Sequence, residues 1–435
     1  MAQQTHEKDV RSSWNVFHRV TGGLAASDDG LVQWFPRKLA IKEGTANSDK
    51  TLHPVIEEFQ QLIEGDPILC AGFHQMFEQI PSAPPYDKDP RGRPQVRDYK
   101  LMLKLFNDII TSAPAYEDSL YVAFPINAIL CWPMGTPAGS AMLTDPRVNR
   151  MFKKMFDVWS TFLTSSDSRY VLTTDNDGWF GPRAREKLPH FAETFVCDPS
   201  QSYYGFSSWD DFFTRTFRPG VRPVASPDDD SIITNACESS PYRIAHGAQA
   251  SDRFWLKGSP YSLAHMLADA ALARTFAGGP VYQAFLSATS YHRWHSPVRG
   301  TVVRTAVVPG AYYASSPAHV LPHPPDPAAQ TRSQAYLTSV AARALVLIQA
   351  DSPDIGLVCF LAVGMAEVST CEVTVRAGDR LEKGGELGMF HFGGSTHCLI
   401  FRPETKVTFL TGCHEQEEVP VNAALATVRP SVRRE

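Results

Sequence analysis

The sequence predicts an α+β protein: a helical N-terminal domain followed by a mostly β domain of sandwich or barrel type. Three observations carry this. Apolar residues recur at helical spacing between about 54 and 200, short Val- and Ile-rich runs follow from about 203, and glycines punctuate those runs at roughly ten-residue intervals. The length of 435 residues suits two or three domains at roughly 150 residues each.

Residues 1–50 are mixed and polar, and read as a surface segment. The helical domain covers 51–202. In PVIEEFQQLIEG, Ile56, Phe59, Leu62 and Ile63 share one face, and Gly65-Asp66-Pro67 breaks the pattern before PILCAGFHQMFEQI. Ser82 to Pro94 is a loop punctuated by proline and glycine. Further helices fit VRDYKLMLKLFNDII and RVNRMFKKMFDVWSTFL, the latter with a core-facing stripe and a solvated basic edge. The β domain covers 203–435. Its strand candidates are GTVVRTAVV, RALVLIQA, GLVCFLAVG and the run CEVTVRAGDRLEKGGELGMFHFGG. Between them Ser315 to Gln330 carries five prolines and reads as a surface loop.

Composition excludes several classes. With 41 Lys+Arg against 46 Asp+Glu, net charge −5, a nucleic-acid partner is not expected. No run of 18 apolar residues argues for a membrane span, and the polar opening MAQQTHEKDVRSSW lacks the apolar core of a signal peptide, so a cytoplasmic protein without integral membrane association is expected. The eight cysteines are scattered without CxxC spacing, and neither a disulfide framework nor a metal site is assigned. GxxxxGK[ST], HExxH and GxSxG are all missing.

Two strings can carry chemistry. In YHRWH, His292 and His295 could serve as acid and base, sharing a face if the segment is helical; packing is the bland alternative. In FHFGGST, Gly393 and Gly394 remove side-chain hindrance around the Gly394 carbonyl, within reach of the Ser395 hydroxyl; an ordinary Gly-Gly turn is the alternative.

The order of motifs decides between these. WDDFFTRTFRPGVRPV, LKGSPYSLAHML, YHRWHSPVRGTVV, VPGAYY and FHFGGST, running from about 205 to 415, resemble the pyruvoyl-dependent phosphatidylserine decarboxylase family. YYGFSSWDDFF, NACES, TSYHRWHSPV, GMAEVSTCEVTV and GMFHFGGS, together with the N-terminal helical domain, are most similar to its soluble fungal branch of L-tryptophan decarboxylases.

The resemblance implies a zymogen. Ser395 attacks the Gly394 carbonyl with His295 as base, the chain cleaves itself between 394 and 395, and Ser395 becomes a pyruvoyl cofactor. The fragment 395–435 then persists as a second chain. A ketone conjugated to an amide accepts the electrons of decarboxylation once the substrate amine condenses on it. By the same resemblance His292 is tied to decarboxylation. Glu238 of Asn235-Ala236-Cys237-Glu238-Ser239 stands where the family carries Asp, one methylene longer, as the acidic partner of His295; Glu367 and Glu372 are alternatives. The expected substrate is a free aromatic L-amino acid, tryptophan favoured. The rival readings are a peripheral phosphatidylserine decarboxylase, an uncleaved binding module and, more distantly, a metal hydrolase.

Overall fold

The computed structural model describes residues 51–89, 94–116, 124–252, 261–316, 333–367, 370–410 and 418–430. The polar segment 1–50, Lys257-Gly258, most of the proline-rich loop and Cys413 lie outside the described residues.

The helical region opens with α1 (Pro54–Gly65), α2 (Pro67–Glu78), α3 (Tyr99–Ile109), α4 (Pro125–Met134), α5 (Pro137–Thr144) and α6 (Pro146–Leu163). All but α3 start on proline, whose missing N–H costs nothing in a first turn. Asp66, Asp98, Thr136 and Asp145 cap the helices they precede by accepting backbone N–H bonds. The Asp98 cap explains why α3 starts at Tyr99 rather than at Val96. The helices α4 and α5 fall in a segment whose prolines and near-uniform apolarity hide any periodicity. Short helices α7 (Pro182–Lys187), α8 (Phe191–Thr194) and α9 (Trp209–Phe213) lead toward the strands.

The strands are β1 (Ile232–Thr234), β2 (Ser240–Ala245), β3 (Val281–Leu286), β4 (Arg293–His295), β5 (Gly300–Val308), β6 (Arg343–Ala350), β7 (Leu357–Met365), β8 (Cys371–Val373), β9 (Arg380–Leu381), β10 (Glu386–Phe390), β11 (Gly394–Phe401), β12 (Val407–Phe409) and β13 (Ala424–Val428). Seven form one antiparallel sheet in the order β2-β3-β11-β7-β6-β5-β9. Two three-stranded sheets, β4-β10-β8 and β1-β13-β12, complete the sandwich.

Both faces of the large sheet are buried, which is why RALVLIQA and GLVCFLAVG are apolar throughout instead of alternating. Val358, Phe360 and Leu399 pack with Trp294, Leu387 and Phe390 of the small sheet. Their strand neighbours Cys359, Leu361 and Ile400 pack on the other face, against Met266, Phe276 and Leu337 of the helical segments there.

A third cluster joins the two regions. Phe59, Phe106 and Trp159 of the helices share one core with Trp209, Phe213, Tyr291 and Phe392. The aromatic ring just ahead of Gly393-Gly394-Ser395 is thus packed against the helical region.

Candidate active site

The two strings meet through sheet pairing. In β4, Arg293, Trp294 and His295 pair with Met389, Gly388 and Glu386 of β10, and the Phe390 N–H donates to the His292 carbonyl at 3.0 Å. From β10 the chain passes through His391, Phe392 and Gly393 into β11, where Gly394 pairs with Met365 and Ser395 lies between Gly364 and Leu286. Since β4 is extended, His292 and His295 do not share a helical face; three positions apart, they head to opposite sides.

The Trp209–Arg215 motif holds YHRWH just ahead of its start and at its centre. The buried Arg215 guanidinium donates to the Thr289 and Ser290 carbonyls at 2.6 and 3.1 Å, and packs over Phe195 and Phe212. Arg293 donates to the Thr214 carbonyl at 2.7 Å and pairs with Glu386 at 2.9 Å.

The Ser395 hydroxyl is buried and makes no hydrogen bond. His292 is fully buried and lies flat on Phe213, ring centroids 4.1 Å apart. Burial, aided by the Arg215 charge, drives its pKa down to about 3. The Ser287 and Ser290 backbones pull weakly the other way, and neither ring nitrogen gains a well-formed hydrogen bond. His292 is a neutral imidazole at neutral pH.

His295 is also pushed toward neutrality by burial, against the Gly384 carbonyl, which lies 2.7 Å from Nδ1. A carbonyl only accepts, so Nδ1 carries the proton and Nε2 is the basic nitrogen. The Tyr291 hydroxyl, 2.9 Å away, donates to Nε2. Burial raises the Tyr291 pKa, so its proton stays in place.

Glu238 is not hydrogen-bonded to His295. Arg222 Nε lies 3.1 and 3.0 Å from its two oxygens, Nη2 bonds it as well, and the Val421 N–H donates to it at 2.8 Å. The segment runs beside β4, where the Ala236 carbonyl accepts the His295 N–H at 2.8 Å, but the carboxylate turns toward the guanidinium. What reaches His295 is a weak influence of its charge.

The alternative carboxylates are engaged elsewhere. Glu372 bonds His391 Nε2 at 2.8 Å, while Asp210 holds Nδ1 of the same ring at 2.9 Å. Glu367 accepts the N–H groups of Ile126 and Asn127. Sequence reasoning passed over Tyr291, Arg222 and His391. Tyr291 at least stood within the motif, four positions before the histidine it serves.

Two family models described as phosphatidylserine decarboxylase match the chain, one over residues 53–188 and the other over 209–425. The decarboxylase iboD of Amanita muscaria is 47% identical over 318 residues, 70% of this chain and 91% of that protein. The L-tryptophan decarboxylase of Psilocybe cubensis is 38% identical over 408 residues, 89% of each chain. The chain belongs to the phosphatidylserine decarboxylase family. It is a decarboxylase, a carboxy-lyase. More distant members include the phosphatidylserine decarboxylase proenzyme 3 of Schizosaccharomyces pombe, 32% identical over 200 residues, 46% of this chain and 19% of that one. Among the described residues no helix is long and apolar enough to cross a membrane.

Proposed function

We propose that this chain is a proenzyme that cleaves itself between Gly394 and Ser395, converts Ser395 to a pyruvoyl group, and decarboxylates a free aromatic L-amino acid, tryptophan foremost. One observation carries the reading: the His292 carbonyl is hydrogen-bonded to Phe390, five residues before a buried Ser395 hydroxyl that makes no hydrogen bond.

The surroundings of Ser395 fit a pyruvoyl group. A buried hydroxyl without a partner costs stability, and such a cost is commonly kept at a reacting group. Gly394 offers its carbonyl without a side chain, and a Cβ there would stand only 3.1 Å from the Met365 carbonyl oxygen. In the cleavage, the Ser395 hydroxyl adds to the Gly394 carbonyl while His295 Nε2 takes its proton after the Tyr291 hydroxyl swings aside. The acyl group passes from nitrogen to oxygen. Loss of the residue 395 α-proton then expels the Gly394 carboxylate and leaves dehydroalanine, which water converts to the pyruvoyl group with release of ammonia. The fragment 395–435 stays bound, because β11 is hydrogen-bonded to β3 on one side and β7 on the other.

The pyruvoyl group supplies an acceptor for the electrons of the breaking carbon–carbon bond. His292, held flat by Phe213 and neutral at rest, relays a proton to the α-carbon as the carboxylate leaves, taking up the one that the substrate ammonium gives up when its nitrogen condenses. Glu238 acts by position, fixing Arg222 and Val421 beside the His295 strand.

An aromatic substrate is supported by the rings of Phe213, Phe392 and Trp159 beside the site, and by 38% identity to an L-tryptophan decarboxylase along most of the chain. Free thiols at all seven described cysteines suit a reducing cytoplasm.

The test is the intact mass of the purified protein beside Ser395→Ala, followed by carbon dioxide release from tryptophan, phenylalanine, tyrosine and phosphatidylserine vesicles. Expected are two chains, the smaller one blocked at its N-terminus, an unsplit variant, and activity on the free aromatic acids. An intact folded wild type overturns the proenzyme reading and favours a binding module. Activity on vesicles alone overturns the substrate.

A further inference from the structure

The helix α4 begins without a cap of its own. Phe124 stands at its N-cap with no side-chain bond to the first turn, where a helix ordinarily finds Ser, Thr, Asp or Asn. The missing acceptor arrives from the sheet region: Glu367 takes the N–H groups of Ile126 and Asn127 at 3.1 and 3.0 Å. The arrangement is costly. Glu367 is fully buried, and Ala366 and Glu367 both sit in the left-handed region, with φ of 56° and 44°. Tyr313 fixes the bend, its hydroxyl accepting the Glu367 N–H at 3.0 Å.

The bend follows directly on Met365, the strand partner of Gly394. Its effect is to set Phe124 at the cleavage point. A Cβ on Gly394 would find the Phe124 ring 3.8 Å away, and that ring stacks on Phe392 at 6.3 Å with 7° between planes. Phe392 in turn meets Trp159 and Phe213 edge-on, and Phe213 carries His292. Unlike Phe392 and Trp159, Phe124 is only partly buried, the accessible end of this aromatic row.

We infer that Phe124 is a specificity-determining residue of the decarboxylase, lining the space a substrate side chain enters, and that Glu367 is the residue that positions it. The inference rests on the pyruvoyl reading and deepens it: the helical region supplies one wall of the substrate site, and that wall selects planar apolar side chains. A flat ring that packs on the accessible side of Phe124, at the end of this aromatic row, buries apolar surface that a small or polar side chain does not offer.

The test measures kcat/KM of cleaved wild type, Phe124→Ala, Phe124→Leu, Glu367→Ala and Glu367→Gln on tryptophan, phenylalanine, leucine and serine. The ratio of two substrates does not depend on the fraction of enzyme that has cleaved, so a folding or processing defect cannot imitate a change in selectivity. Phe124→Ala is expected to lower the preference for tryptophan over leucine on the order of tenfold. Glu367→Ala should shift the ratio in the same direction, and Glu367→Gln, which keeps an acceptor for the helix, by less. A ratio unchanged in both Phe124 variants overturns the inference. If the wild type splits but prefers none of the aromatic acids, the substrate assignment falls, and the same ratios on whichever acids it does accept still decide the role of Phe124.

Discussion

Arg222 and Glu238 form a nearly buried pair, both carboxylate oxygens within 3.1 Å of Arg222 Nε, and this pair leaves His295 to Tyr291 and Gly384. The acidic residue of the Asn235–Ser239 segment therefore fixes chain segments more than it orients the base. Glu238→Gln is expected to lower stability by about 1–2 kcal/mol, since it weakens charged hydrogen bonds to a buried carboxylate whose Arg222 partner is partly exposed. Self-cleavage should slow by no more than roughly tenfold, because His295 keeps both direct partners. Urea unfolding and a mass time course report the two effects separately. A loss of cleavage by several orders of magnitude in a folded protein would restore Glu238 to the role of acidic partner.

Tyr291 is the residue through which His295 is held on its Nε2 side. Tyr291→Phe removes the donor at 2.9 Å and keeps the ring, which stacks near His295 at 5.7 Å and on Phe217 at 4.2 Å. One neutral hydrogen bond is worth about 1 kcal/mol, and this one must break before Nε2 can take the Ser395 proton, so cleavage should speed up roughly fivefold. Slower cleavage by the variant would mean that the tyrosine orients the base more than it blocks it.

The parts of this protein written in local pattern were legible in the sequence. The helical spacing of apolar residues gave α1, α2 and α6, and the Val- and Ile-rich runs gave β6 and β7. The helix α4 was not legible, because its cap lies 241 residues away in Glu367. At the site, Ser395, His292 and His295 stood in recognisable strings. Their extended geometry and the attachment of Glu238 did not, since both depend on pairing across the sheet: β10 draws YHRWH out as a strand, and Arg222 captures the carboxylate. Residue type announced the chemistry, and long-range contacts decided which partner each group found.

Two imidazoles set the acid limit of stability. Burial holds both His292 and His397 at a pKa of about 3, against roughly 6.5 in an unfolded chain. A folded pKa below the unfolded one means that the contribution is complete above pH 6.5 and is lost as pH falls toward 3, each group costing about 1.4 kcal/mol per pH unit. His397 packs between Tyr282 and Phe360, with ring centroids 5.8 Å from each, so His397→Phe keeps the shape without the titration. Denaturant midpoints between pH 7 and 4.5 should fall less steeply in the variant. An unchanged slope would show that His397 does not titrate with unfolding.

His391 works in the opposite direction and sets the alkaline limit. Burial opposes its charge, but the hydrogen bond and charge of Asp210, with Glu372 on the other nitrogen, outweigh that penalty and lift its pKa to about 9. With the folded value above the unfolded one, the stabilisation is complete below pH 6.5 and disappears as pH rises through 9; at full strength it amounts to on the order of 3 kcal/mol. The clamp ties α9 to the residue before Phe392, so its loss also loosens the approach to Gly394. The melting temperature and the self-cleavage rate of the wild type should both decline between pH 8 and 10, while Asp210→Asn should bring the decline to lower pH and His391→Phe should abolish it. If the wild type and both variants kept parallel profiles across that range, the imidazolium would have no part in holding the cleavage segment.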